Sequence, residues 1–181
     1  MSRKSRAKTK YVKLNKAMLD SKYASNLIAK LIKYVMKNGK FNQAKSIVYK
    51  SIDMFYDDYM KKAATEDEKN LQKTVMVKLL IERIIKMGPD AEVKSKRLGG
   101  QSYQVPVSVD ADRKVTLVYR VLLKCARKRK GTSMFVNLGR ELIDLCAGRG
   151  SVIKEFENLR KTVSSNAVFA NIKGRSPASG S

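Results

Sequence analysis

The sequence predicts an all-α fold, a bundle of about six helices with one β-hairpin inserted and projecting between the third and fourth. Three observations carry this expectation. Apolar residues recur at three- and four-residue spacing in six separate windows, the period of an amphipathic helix. One window, Glu92 to Val107, changes to two-residue alternation around Gly99-Gly100, the pattern of a strand pair with a positive-φ turn. Breakers stand at the junctions: Asn38-Gly39, Gly88-Pro89, Gly131 and Gly148-Arg149-Gly150.

Size and charge narrow the function. The chain has 181 residues, 43% of them hydrophobic, so it can fold and bury about 70% of its unfolded surface. Its net charge of +23 opposes compactness through self-repulsion, so an anionic partner is expected, nucleic acid before an anionic membrane surface. No run of eighteen apolar residues is present to span a bilayer, and the N-terminus has no apolar h-region. Histidine is absent, which removes the imidazole base, the Ser-His-Asp triad and His-ligated zinc. Cys125 and Cys146 lack C-x-x-C spacing and read as small buried hydrophobes in a reducing compartment. With no paired carboxylates, phosphate loop or activated nucleophile, the expectation is a binding protein without catalytic residues, cofactor or metal.

In chain order, Arg3, Lys4, Arg6, Lys8, Lys10, Lys13 and Lys16 meet no acid, so residues 1–18 form a basic arm that stays flexible without RNA. Acid-free starts also resemble organelle transit peptides, but this one lacks an amphipathic apolar face. A first helix spans about Asn26 to Lys37, capped by Ser25, with Leu27, Ile28, Leu31, Ile32 and Val35 inward and Lys30, Lys33 and Lys37 outward. A second starts with Asn42 as cap and buries Ala44, Ile47, Val48, Ile52 and Phe55; the short connection makes the two antiparallel neighbours. Asp53, Asp57, Asp58, Glu66, Asp67 and Glu68 make the next stretch the most acidic, expected to face away from a polyanion. Thr65-x-x-Glu68 is a capping-box pattern. The third helix that follows is apolar on nearly every side, which predicts a place at the bundle centre.

In the hairpin, Lys94, Lys96 and Arg97 stand with no acid between Glu92 and Asp110, and Pro106 fits an edge strand. Asp112 or Asp110 caps a fourth helix reaching about Lys130. Arg113, Arg120, Lys124, Arg127 and Lys128 fall on one stripe of it, and Lys114 joins that surface. Cations near a helix C-terminus suit its dipole, worth about 0.3–1 kcal/mol, which explains one or two of Arg127, Lys128, Arg129 and Lys130 but not all four. A fifth helix covers about Met134 to Ala147. A sixth opens at Ser151 and bears Val152, Ile153, Phe156, Leu159, Val163 and later Phe169. The domain is drawn at residues 19–172, and the Gly/Ser/Pro-bearing tail 173–181 is expected to be disordered.

These motifs together resemble the S-seven family of small-subunit ribosomal proteins. The resemblance rests on Val93-Lys94-Ser95-Lys96-Arg97-Leu98-Gly99-Gly100 followed by Tyr103-Gln104-Val105-Pro106-Val107, and on Ala126-Arg127-Lys128-Arg129. It is supported by Asn38-Gly39-Lys40, Ala44, Ile47-Val48-Tyr49 and Asn166 through Ala170, over about residues 20–172. Departures are Phe41 where the family usually carries a base, Val121 for a usual Trp, no Pro within Leu19 to Tyr23, and a different tail after Ile172.

The resemblance implies a structural constituent of the small subunit that binds the 3′ major domain of its rRNA and helps nucleate assembly of the head. It implies a ribbon, with Arg97, Leu98, Gly99, Gly100 and Gln101 at its tip, near the exit-site tRNA and the mRNA path. Neighbouring head proteins and ribosomal protein eleven of the platform are implied partners. The implied location is a ribosome, in a bacterial cytoplasm, a plastid or a mitochondrion. On the residues themselves, RNA contact is expected from the arm, the first-helix lysines with Lys40, the hairpin, and Arg113 to Lys130. Recognition would run through phosphates, 2′-hydroxyls and folded shape. A DNA-compacting protein and an RNA-modifying enzyme are the rivals from other classes.

Overall fold

The structure is a computed structural model that describes residues 20–62, 65–69, 71–98 and 100–170, the side chains of 66, 68 and 98 excepted. The basic arm, the whole of the expected tail 173–181, Gly99 and the Leu98 side chain therefore lie outside the described residues.

Helix α1, Asn26–Val35, starts where Ser25 holds an extended φ of −120° and accepts the Ile28 N–H on its Oγ at 3.5 Å, the predicted cap. The chain then reverses at Asn38 (φ 51°) and Gly39 (φ 70°), two successive left-handed residues. Helical bonding resumes at Lys40, whose carbonyl accepts the Ala44 N–H at 3.2 Å. Helix α2 thus runs Phe41–Lys62, and Asn42 lies inside its first turn rather than capping it, because the Asn-Gly reversal already delivers the chain in register.

Helix α2 packs along α6, Met134–Cys146. Close approach is possible because Gly139 faces Ser51, buried on α2; a Cβ at Gly139 would meet Met54 Sδ at 2.9 Å. The expected third helix is two pieces. A single turn, α3, Glu66–Lys69, is followed after a break by α4, Lys73–Lys86, whose N-cap residue Gln72 makes no side-chain capping bond.

Nor is α4 central. Met76, Val77, Leu80, Ile81 and Ile84 are buried, but Val75 and Leu79 are 41% and 47% exposed. The centre is filled by α2, α6 and α5 (Ala111–Lys128), leaving α4 to lie against α5 and α6 with one side only.

The hairpin joins β1, Ala91–Leu98, to β2, Gln101–Ser108, in antiparallel register from Ala91↔Ser108 to Leu98↔Gln101. Gly100 has φ 88° in the turn, and Pro106 stands opposite Val93 on an edge. One face of the ribbon is packed well beyond its base. Val105 is 2% exposed, β1 lies against α7 (Ser151–Ser165), and β2 lies against the 3₁₀ turn Ala167–Phe169. Tyr103 and Phe169 meet there with ring centroids 5.6 Å apart.

Helix α5 buries Val115, Val118, Tyr119, Leu122, Cys125 and Ala126. It stops at Lys128, ahead of the expected Lys130, and Gly131 (φ 85°) turns the chain beyond it. Asp110 occupies the N-cap position but makes no side-chain capping bond. Cys125 is buried as expected, and burial pushes its thiol pKa up; Cys146 is only half-buried.

Candidate nucleic-acid interface

Three elements that the sequence marks as basic are tied to one another near their ends. Lys30 Nζ on α1 lies 2.6 Å from Asp112 Oδ1 on α5, and the Tyr34 hydroxyl donates to Thr116 Oγ1 at 3.2 Å. Arg113 on α5 donates from Nε and Nη2 to Glu92 Oε2 on β1 at 3.0 and 2.7 Å, and Lys94 Nζ is 3.2 Å from Glu92 Oε1. Helix α1, the start of α5 and the root of the ribbon are therefore neighbours. A groove of about 310 Å³ lined by Lys30, Lys33, Tyr34 and Thr116 runs between α1 and α5.

The cations differ in how firmly the protein holds them. An exposed pair contributes about 0–1 kcal/mol, so a phosphate can replace its acid at little cost. Lys30 belongs here, since its partner Asp112 is 91% exposed. Lys124 and Lys128 are similar, both resting on Glu155 at 3.0 and 3.5 Å; hydrogen bonding to Lys124 holds that carboxyl below its usual pKa. Lys114 sits on the 86%-exposed Asp90 at 2.6 Å. Arg113 is held more tightly by Glu92, whose side chain is 11% exposed and whose pKa its hydrogen bonds lower.

Arg129 is held tightest. Its guanidinium reaches Glu141 Oε1 at 2.6 Å and Asp144 Oδ2 at 2.7 Å, and Glu141 is 1% exposed. Removing one partner of a buried pair costs several kcal/mol, so Arg129 serves the fold first. The continuous stripe read along α5 is thus broken into differently held charges. Arg120, Arg127 and Lys130 are exposed and, among the described residues, have no carboxylate partner; the same holds for Lys37, Lys40 and Arg97.

Alternation sorts the ribbon as well. The register puts Ser95, Arg97, Ser102 and Gln104 on one face, and all four are exposed. Lys94 and Lys96 share the other face with Tyr103 and Val105, the face turned at its base toward the domain. Gln101 is exposed near the tip, its Oε1 accepting the Tyr103 hydroxyl at 3.0 Å.

The acidic side is occupied internally. Asp53 takes Lys22 and Lys73, each at 3.1 Å, and accepts the Tyr23 hydroxyl at 3.1 Å. Burial would raise its pKa, but the two lysines outweigh that and lower it. Asp20, 6% exposed, accepts the Tyr23 N–H at 2.9 Å and the Tyr49 hydroxyl, tying the segment before α1 to α2. Sequence reasoning missed this clasp and the Tyr34–Thr116 contact, since partners 29 and 82 positions apart leave no local pattern. Among the described residues no group of three His, Cys, Asp or Glu could hold a metal, and no helix is long and apolar enough to cross a membrane.

Comparison with known proteins agrees with this architecture. The model of the family described as Ribosomal protein S7p/S5e matches residues 2–167. Small ribosomal subunit protein uS7 of Blochmanniella floridana is 36% identical over 156 residues, 86% of this chain and 92% of that protein. The uS7 protein of Francisella tularensis subsp. holarctica (strain OSU18) is 34% identical over 173 residues, 96% of this chain and 99% of its own length. With helices and hairpin in the order the motifs require, the chain belongs to the ribosomal protein S7p/S5e family, structural and non-enzymatic constituents of the small ribosomal subunit.

Proposed function

We propose that the chain is a primary binder of the 3′ major (head) domain of small-subunit rRNA, and that this binding nucleates assembly of the head. In this reading residues 19–172 are the rRNA-binding domain, and the arm 1–18 adds contacts from its own cations. The ribbon reaches toward the exit-site tRNA and the mRNA path with Arg97 to Gln101. Neighbouring head proteins and ribosomal protein eleven are its protein partners.

The observation that supports this best is the junction of α1, α5 and β1. It sets Lys30, Lys33, Lys94, Arg113 and Lys114 on adjoining elements, with Lys37 and Lys40 in the turn beyond α1, Arg120 and Arg127 further along α5 and Lys130 just past its end. RNA would be held through phosphates and 2′-hydroxyls, with Gln101, Ser102 and Tyr103 adding hydrogen bonds or stacking. Each neutralised phosphate contributes about −0.7 to −0.9 to the log–log salt slope.

The test is affinity for a 3′ major-domain rRNA fragment and for duplex DNA of equal length, across a salt series. Tight, strongly salt-dependent and rRNA-preferring binding is expected. Equal affinity for the two, or a flat salt response, would reject the reading.

A further inference from the structure

Resting on the rRNA reading above, a second kind of contact emerges at the turn between α1 and α2. Residues 37–43, Lys-Asn-Gly-Lys-Phe-Asn-Gln, are all exposed. Phe41 is 46% exposed, whereas the other described aromatic residues are buried or half-buried. Single apolar residues on a surface are ordinary. What sets this one apart is its setting.

The turn is fixed by two left-handed residues and by hydrogen bonds from Lys40 N–H to Lys37 O at 3.0 Å and from Phe41 N–H to Gly39 O at 2.8 Å. The ring's base is thus held in place, and among the described residues the ring has no aromatic or cation–π partner. Around it stand two lysines and three carboxamides, and no acid occurs from Ser21 to Ile52. Such a set supplies a π face, phosphate contacts and groups able to read a base edge, with no acid in the segment itself to repel a polyanion.

We propose that Phe41 is a stacking platform for an unpaired base of small-subunit rRNA, with Lys37 and Lys40 holding the flanking phosphates. Stacking on an aromatic ring tolerates any base, so the site selects an unpaired, splayed nucleotide and not a sequence.

The chain contains no tryptophan, so Phe41→Trp in the full-length protein introduces a sole indole, which can be excited selectively over the tyrosines. With the 3′ major-domain fragment, Phe41→Trp should bind within about twofold of the parent while the introduced indole is quenched. Phe41→Leu, apolar but without a ring, should bind about tenfold more weakly with an unchanged salt slope. Lys40→Gln should instead lower the slope by about 0.7–0.9.

Melting temperatures should match the parent throughout. A Phe41→Leu protein that binds like the parent, an indole whose emission stays unmoved at saturation, or emission that shifts only when small-subunit proteins are added would overturn the stack. So would loss of affinity accompanied by loss of melting temperature. If the parent itself ignores the fragment, the rRNA reading falls and takes this one with it; if the parent binds and the indole is silent, only the stack falls.

Discussion

Arg129 Nε donates to Glu141 Oε1 at 2.6 Å, and through that bond the third residue of the basic run Arg127 to Lys130 is turned into the protein. Glu141 is 1% exposed, and its other oxygen, Oε2, has no hydrogen-bond partner among the described residues. The carboxylate therefore depends on Arg129 and tolerates little further loss. Four adjacent cations that look alike in sequence are held in different ways.

Arg129→Ala should lower unfolding free energy by about 3 kcal/mol in urea titrations, because it leaves a buried charge unpaired. Arg127→Gln should leave stability within about 0.5 kcal/mol and reduce the rRNA salt slope by about 0.7–0.9. If the two variants exchanged these behaviours, the division between fold and surface would be wrong.

Glu155 holds both Lys124 and Lys128. Glu155→Gln should free them and tighten rRNA binding by about two- to fivefold, the range an exposed pair of 0–1 kcal/mol permits. Weaker binding would mean that these lysines need Glu155 to aim them.

Arg113 and, secondarily, Lys94 hold Glu92 below its ordinary pKa in the folded protein. A depressed carboxyl stabilises the fold above its unfolded value of about 4.3 and loses that contribution as pH falls through the lower folded value. Glu92→Gln should thus cost about 1 kcal/mol at pH 7, and the gap in melting temperature from the parent should close toward pH 3. A gap that stayed constant with pH would assign Glu92 to packing instead.

Phe169 and Tyr103 fasten the ribbon to the 3₁₀ turn that follows α7. Phe169→Ala should remove an interaction worth about 0.5–1.5 kcal/mol, speeding amide exchange in β2 by about two- to tenfold while moving the melting temperature little. Unchanged exchange in Gln101 to Ser108 would show that the hairpin supports itself.

Where helix periodicity met an uncontested stop signal, the sequence was legible. Ser25, Asn38-Gly39 and Gly148-Arg149-Gly150 act locally, and each stands where the structure ends or begins a helix. Helix α2 starts two residues ahead of the position that an Asn42 cap implies, because the Asn38-Gly39 reversal already sets the chain into helical bonding from Lys40. A helix apolar on nearly every side suggests a place at the bundle centre, yet Leu71, Val75 and Leu79 are exposed, because side-chain character alone does not reveal whether a neighbour arrives to cover them. Candidate RNA contacts were legible as charge, which is additive along a chain, but not as availability.

By itself the sequence determined the helical bundle, the inserted ribbon and a strongly basic polymer suited to RNA, since these follow from local periodicity, turn chemistry and summed charge. Only the tertiary structure decided which cations are spoken for. Glu92, Glu141 and Glu155 each meet their partners across a junction between elements, at sequence distances of 21, 12 and 31 in the Arg113, Arg129 and Lys124 pairs. Pairing at such range depends on how whole elements pack, and no pattern read along the chain contains that information.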